Sequence, residues 1–104
     1  MQRRGRQIQP TDLKRKAIGS VVAELRRQAG FSQERLGAEC GFERTYLSRV
    51  DRGILNPTAI RIWTIADALN TPLHEIATRM EQWVRDHAKP GEIGQRLTLG
   101  TSLS

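Results

Sequence analysis

The chain has 104 residues, a net charge of +6 and 38% hydrophobic residues. This length fits one small domain with tails, and such a domain buries little surface. No apolar run reaches the roughly 18 residues that a membrane span needs, and no apolar stretch follows the basic N-terminus, as a secretory signal requires. Cys40 is the sole cysteine, so no disulfide can close within the chain. We therefore expect a cytoplasmic protein.

The positive charge is concentrated at the N-terminus. Residues 1–16 carry six basic side chains against Asp12 alone, whereas residues 17–80 carry eight basic and seven acidic ones, and residues 81–104 carry three of each. A basic arm favours a polyanion, either nucleic acid or an anionic membrane surface, and is equally compatible with a solubilising, disordered end. We therefore expect the chain to have three parts. Residues 1–16 form a basic arm and the start of the first helix, residues 17–79 form the folded domain, and residues 80–104 form a C-terminal helix extension and a tail.

The first three helices are predicted from apolar residues at helical spacing and from the residues that bound them. Thr11 is the predicted N-cap of the first helix, which ends at Gly30. Ser32 caps a second, short helix, which Gly41 ends. A third helix is predicted from about Glu43 to Arg52.

Two further helices follow a proline break at residues 56–57. Thr58 caps the fourth helix. Thr71 caps the fifth, with Pro72 at its first position, where the missing N–H costs nothing, and residues 90–91 close it. Five short helices with tight connections predict a compact all-α bundle that has no cavity for a cofactor.

Residues 32–51 have the features of a helix-turn-helix unit. Two short helices are joined by a turn at Gly41, where glycine takes a positive φ without steric cost. Gly37 lies within the second helix, where glycine costs roughly 1 kcal/mol relative to alanine. A small residue at this position allows the next helix to cross closely, which explains why the cost is tolerated.

The third helix is amphipathic. At about 100° per residue, polar side chains fall on one side and apolar side chains on the other. The polar side carries Arg44, Thr45, Ser48, Arg49 and Arg52, and the opposite side carries Tyr46, Leu47 and Val50. The polar groups suit base edges and phosphates, although a helix with a solvated charged face has the same pattern.

Several stretches of the chain resemble the phage-repressor and Cro-like (XRE) family of bacterial regulators, over about residues 18–78. They are Phe31–Leu36, Gly41–Ser48, Asp51–Gly53, Asn56–Thr58 and Ile65–Leu69. Arg44–Ser48, with Arg52–Gly53 and Asn56–Thr58, is also similar to the small controller proteins of restriction–modification systems. The chain departs from the family in two mild ways, with Gly37 in place of alanine and Asp51 in place of glutamate. The resemblance implies a lambda-repressor-like DNA-binding fold.

The resemblance further implies that the third helix lies in the major groove of double-stranded DNA, with its first turns at the base edges. We expect base contacts from Arg44, Thr45, Ser48 and Arg49. Tyr46 borders the apolar face, so it either joins these contacts or only packs. Contacts with the DNA backbone, which position the protein without specifying sequence, are expected from Gln33 at the start of the second helix, Asn56 and Arg61. In the family, the counterpart of Asp51 pairs with an arginine of the first helix, here Arg26.

The fifth helix carries a continuous apolar stripe. Its members are Leu73, Ile76, Ala77, Met80, Trp83 and Val84. We expect Met80, Trp83 and Val84 to lie beyond the reach of the preceding helices and to form the interface of a two-fold homodimer on a near-palindromic operator. The alternative is that Trp83 folds back onto the first helix.

The sequence carries no motif for catalysis, a cofactor or a metal ion. Cys40 is expected to be a small core residue rather than a redox sensor, and His74 and His87 have no partners at useful spacing. We therefore predict a dimeric DNA-binding transcriptional regulator, with no enzymatic activity and no small-molecule ligand. The alternative is an antitoxin or adaptor that binds a protein partner, for which Arg44 and Arg49 would not be needed.

The basic arm is expected to add affinity for DNA without much specificity. Removing residues 2–9 deletes three arginines. The slope of log K against log salt concentration is then expected to shrink by up to about 2.7, at roughly 0.9 per lost phosphate contact. Duplex titrations of the full and shortened chains at several salt concentrations measure this slope, and an unchanged slope would show that the arm does not touch DNA.

Overall fold

The computed structural model describes residues 10–88, which form five α-helices and no strand within that range. The helices are α1 (Pro10–Gln28), α2 (Gln33–Cys40), α3 (Arg44–Asp51), α4 (Ala59–Ala68) and α5 (Leu73–His87). None of these helices combines the length and the apolar character that crossing a membrane requires. The predicted all-α, five-helix fold is confirmed. The predictions about residues 1–9 and about the helix closure at 90–91 lie outside the described residues.

Helices α2 and α4 begin at the side chains that were predicted to cap them. The Ser32 Oγ accepts a hydrogen bond from the Arg35 N–H at 2.9 Å, and the Thr58 Oγ1 accepts one from the Arg61 N–H at 3.2 Å. Each bond satisfies a backbone donor that the first helical turn leaves without a partner. Helix α2 ends at Gly41, which adopts the predicted left-handed conformation with a φ of 79°.

Two other predicted caps are wrong. Thr11 lies inside α1, which already includes Pro10. The hydroxyl of Thr71 donates to the carbonyl of Leu69 at 3.1 Å instead of capping α5. Pro72, with extended backbone, takes the N-cap position of α5. The helix therefore begins one residue later than the sequence indicated, and Thr71 is too far back to accept from its first turn.

One cluster of buried side chains joins all the helices, and each member is 8% exposed or less. Its members are Val21, Val22, Leu25, Leu36, Leu47, Ile65, Ala66, Leu69 and Ile76. Burial of this apolar surface is the main favourable contribution to folding. Because every helix contributes to it, α2 and α3 take their positions from the same core that holds α1, α4 and α5.

A second, smaller cluster lies where α1 begins and α5 ends. Leu13 and Ala17 pack with Val84, and Met80 and Trp83 are half-buried against the same cluster. Val84 is only 7% exposed. The prediction that this part of α5 extends beyond the domain's own core is therefore wrong. Helix α1 has 19 residues, and its first turns cover the stripe that was expected to be free.

Helices α1 and α3 approach each other so closely at Gly19 that no side chain fits between them. A Cβ atom there would lie 2.2 Å from the carbonyl oxygen of Val50 and 2.6 Å from that of Asp51. The close approach predicted at Gly37 is confirmed, since a Cβ atom there would lie 2.5 Å from the carbonyl oxygen of Phe42. Both contacts involve backbone atoms, which cannot move aside as a flexible side chain can.

We expect Gly19→Ala to lower the free energy of unfolding by about 3 kcal/mol, at the upper end of overpacking costs, because α1 and α3 must separate. Gly30→Ala is the matched control. Gly30 has a φ of 78° and no atom near its missing Cβ, so the same methyl should cost only about 1 kcal/mol of backbone strain. Urea denaturation followed by circular dichroism measures both values, and equal losses would contradict the steric explanation.

Candidate nucleic-acid interface

Helix α3 turns its polar side chains toward solvent. Arg44, Thr45 and Arg49 are exposed, and Ser48 is half-buried. On the opposite side, Leu47 and Val50 are 0% and 1% exposed. Among the ion pairs formed within residues 10–88, none involves Arg44 or Arg49. The structure therefore brings the four predicted base-contacting residues together on one helix.

Arg61 lies beside α3 because its guanidinium stacks on two aromatic rings. Its Cζ atom lies 4.7 Å from the ring centroid of Tyr46 and 5.2 Å from that of Phe42. The two rings meet edge to face, with their centroids 5.1 Å apart. A cation–π contact holds the plane of a guanidinium and leaves the N–H groups at its edge able to donate. Tyr46 packs against the core and supports Arg61, a role that the sequence did not reveal.

A largely buried ion pair links α1 to α3. The Arg26 Nη2 lies 3.2 Å from the Asp51 Oδ2, and the two side chains are 12% and 9% exposed. The Arg26 Nη1 also donates to the carbonyl oxygen of Phe31 at 2.8 Å, at the turn before α2. The two residues that the family resemblance paired therefore lie in contact, inside the protein and away from the exposed face of α3.

The side chain of Gln33 joins this pair. Its Nε2 donates to the Asp51 Oδ2 at 2.9 Å, so the amide is engaged inside the protein. Residues 33 and 51 are far apart in sequence, and only the position of Asp51 at the edge of the inner face of α3 hinted at such a contact. Gln33 is the first residue of α2, and the N–H groups of a first helical turn have no partner within the helix.

The remaining predicted backbone-contacting residue, Asn56, is exposed on the connection between α3 and α4. The same connection brings the basic part of α1 close to α3. A Cβ atom on Gly53, two residues after α3, would lie 2.9 Å from the Lys16 Cγ. A basic residue of α1 therefore borders the C-terminal end of α3, as Arg61 borders its N-terminal half.

Cys40 is half-buried and packs against the main core, with its Sγ 3.9 Å from the carbonyl oxygen of Thr64. Burial, with a smaller contribution from the charge of Glu39, raises the pKa of the Cys40 thiol. A raised pKa disfavours the reactive thiolate.

His74 and His87 are exposed, and residues 10–88 hold no group of metal-binding side chains.

Comparison with known proteins agrees with this geometry. The profile of the helix-turn-helix family matches residues 22–76. An uncharacterised HTH-type transcriptional regulator of Sinorhizobium fredii, y4dJ, is 41% identical over 68 residues, which cover 65% of this chain and 88% of that protein.

Solved structures share the fold. The restriction–modification controller protein C.AhdI from Aeromonas hydrophila is 34% identical with a TM-score of 0.58, over 60% of this chain and 94% of that one. The clp gene regulator ClgR from Corynebacterium glutamicum superposes over 86% of this chain and 89% of its own, with a TM-score of 0.70 at 18% identity, which shows a common fold alone. The chain thus belongs to the helix-turn-helix family. It is a DNA-binding regulator of the phage-repressor and Cro-like type, as its motifs predicted.

Asp51→Ala is expected to lower the free energy of unfolding by about 3 kcal/mol, the lower end of the cost for a buried pair, because it leaves the largely buried Arg26 guanidinium without a counter-charge. Asp12→Ala is the control, since it removes the 41% exposed partner of Arg15 on α1. An exposed pair of this kind contributes about 1 kcal/mol or less. Urea denaturation of both variants tests the difference, and a loss below about 1 kcal/mol for Asp51→Ala would argue against a structural role.

Proposed function

We propose that the protein is a sequence-specific transcriptional regulator that binds a near-palindromic operator as a two-fold homodimer, with α3 in the major groove. The observation that supports the proposal is the exposed polar side of α3, which a buried apolar side fixes in place. An antitoxin or adaptor has no need for Arg44 and Arg49 on such a surface. The name of the Sinorhizobium relative, an HTH-type transcriptional regulator, supports the same class.

In this proposal, Arg44 and Arg49 each donate two hydrogen bonds to the O6 and N7 atoms of a guanine, and the methyl group of Thr45 meets that of a thymine. Ser48, between them on the helix, donates to a base edge. Arg61, Asn56 and the first-turn N–H groups of α2 hold phosphates on either side. Tyr46 acts by positioning Arg61.

A dimer is proposed because α3, the helix that would contact the bases, is short. Helix α3 has eight residues, so a single domain reads only a few base pairs. Two copies related by a two-fold axis read two half-sites about one helical turn, roughly 34 Å, apart. Selection of bound duplexes from a random pool with the purified protein tests this directly. We expect an inverted repeat with that spacing, and a single unrepeated site or no enrichment would contradict the proposal.

Arg44→Ala and Arg49→Ala are each expected to weaken binding to the selected operator by about 1–3 kcal/mol and to relax the preference at one base pair. Arg85→Ala is the matched control. Arg85 lies in the last turn of α5, and its loss removes the same charge away from α3. Duplex titrations with operator and point-mutated operators measure both effects. Equal losses for all three variants would indicate a general charge effect rather than base reading.

A further inference from the structure

Lys16 of α1 lies at the C-terminal end of α3. A Cβ atom on Gly53, two residues after α3, would lie 2.9 Å from the Lys16 Cγ and 3.0 Å from the Lys16 Cα. Gly53 is buried, whereas Lys16 is exposed. A lysine can bury its aliphatic stem while its ammonium group stays in solvent. The stem of Lys16 therefore packs on Gly53, and the packing holds the charged group at this end of α3.

No ion pair formed within residues 10–88 neutralises Lys16, whereas the arginine that precedes it pairs with Asp12. The carboxylate of Asp51, at the same end of α3, is bound inside the protein by Arg26. Lys16 is thus fixed in position by apolar contacts, while the nearby carboxylate is already matched. This combination favours an anion that comes from outside the domain.

The C-terminal end of α3 needs such a cation before it can meet an anion. A helix carries partial negative charge at its C-terminus, which repels a phosphate. Arg52 is the C-cap residue of α3, and its Nε donates to the carbonyl oxygen of Ser48 at 3.3 Å. Part of this guanidinium is therefore engaged along the helix itself. Lys16 is the basic group that a different helix brings to the same place.

The length of α3 brings this end to the edge of the major groove in the docking proposed above. Eight residues at about 1.5 Å each make a helix of about 12 Å, which is about the width of the groove. With its first turns at the base edges, α3 extends toward a phosphate backbone with its last turn. Arg61 of α4 lies beside the N-terminal half of α3, and Lys16 of α1 lies at the other end.

We infer that Lys16 is a phosphate-binding residue that holds the DNA backbone at the C-terminal end of α3. Its ammonium group donates to a phosphate oxygen, and its charge offsets the helix dipole there. The inference rests on the proposed function, because it requires α3 in the major groove. It gives a fixed place to one charge that the sequence assigned only to a basic arm. With Arg61, it holds α3 at both ends and so fixes the register of the helix along the groove.

A purely structural role for Lys16 leads to a different expectation. A cation near a helix C-terminus stabilises the helix without any DNA. In that case, replacement of Lys16 lowers the stability of the protein and leaves the salt dependence of DNA binding unchanged. A phosphate contact changes the salt dependence, because each contact releases counterions from the duplex.

Titrations of the selected operator with the full chain at several salt concentrations test the inference. Lys16→Gln should remain folded by circular dichroism, because the position is exposed and glutamine favours a helix. The slope of log K against log salt concentration is expected to shrink by about 0.9 for each bound copy. Lys16→Arg retains the charge and should retain the wild-type slope.

Lys14→Gln is the matched comparison. Lys14 is exposed on the same helix, two residues earlier and about 200° around it from Lys16, so the variant loses the same charge on another side. Its slope measures what the loss of one charge does by general attraction to DNA. We expect a smaller change in slope than for Lys16→Gln.

Operator duplexes in which one phosphate at a time is replaced by an uncharged methylphosphonate locate the contact. We expect a position at which the replacement weakens wild-type binding several-fold and has no further effect on Lys16→Gln, because both changes remove the same interaction. Lys14→Gln should respond to that replacement as the wild type does. A wild-type slope for Lys16→Gln, equal slopes for the Lys14 and Lys16 variants or no phosphate with this behaviour would each overturn the inference.

Failure of this inference is distinguishable from failure of the proposed function. If the wild type selects a palindromic operator while Lys16→Gln keeps the wild-type slope, the Lys16 contact is wrong and the function stands. If the wild type selects no operator, the function is wrong, and the slopes are measured on an unrelated duplex, since phosphate contacts carry no sequence information. A smaller slope for Lys16→Gln than for Lys14→Gln would then support the contact, and equal slopes would overturn it.

Discussion

Helix α1 lies directly on the carbonyl end of α3, and the orientation of α3 depends on this backbone contact. An isolated helix of eight residues is not stable in water, so α3 owes its existence to tertiary packing. The absence of a side chain at Gly19 lets the two backbones meet, and Leu47 and Val50 then enter the core. Once these two side chains are buried, the geometry of the helix turns Arg44 and Arg49 outward. The exposed polar surface is thus a consequence of a glycine on another helix.

The Arg26–Asp51 pair restricts how α3 can rotate against α1. Apolar packing is not directional, so it allows small rotations of one helix on another. A buried ion pair contributes little net stability, but its geometry is specific and its disruption is costly. Because Gln33 donates to the same carboxylate oxygen, the start of α2 is tied to the end of α3. The helix proposed to contact bases and the helix start proposed to contact a phosphate therefore keep a fixed separation.

The features that were predictable from sequence are those decided within one helical turn. The caps at Ser32 and Thr58, the turn at Gly41 and the two sides of α3 all depend on neighbouring residues. The residues of the Arg26–Asp51 pair are 25 positions apart, and only the resemblance to a family suggested their pairing. Local pattern alone does not specify such long-range contacts.

Helices α4 and α5 show the limit of this reasoning. The periodicity of α5 indicated an apolar stripe, but it could not indicate that the first turns of α1 cover Val84. Helix α4 is apolar on most of its circumference, so its pattern did not distinguish the buried Ile65 from the exposed Ile60 and Trp63. Which apolar side a helix buries depends on its neighbours, and these are set by the whole fold.

The small cluster of Leu13, Ala17 and Val84 has a consequence for motion. It is separate from the main core, and it holds the first turns of α1 against the last turns of α5. Its opening exposes little apolar surface and leaves the α2–α3 unit intact, so it requires much less free energy than global unfolding. We therefore expect amide hydrogens in these turns to exchange together and ahead of those in the core. Lys14 and Lys16 are exposed in these turns of α1, so local fraying of α1 would move these two basic groups without disturbing α3.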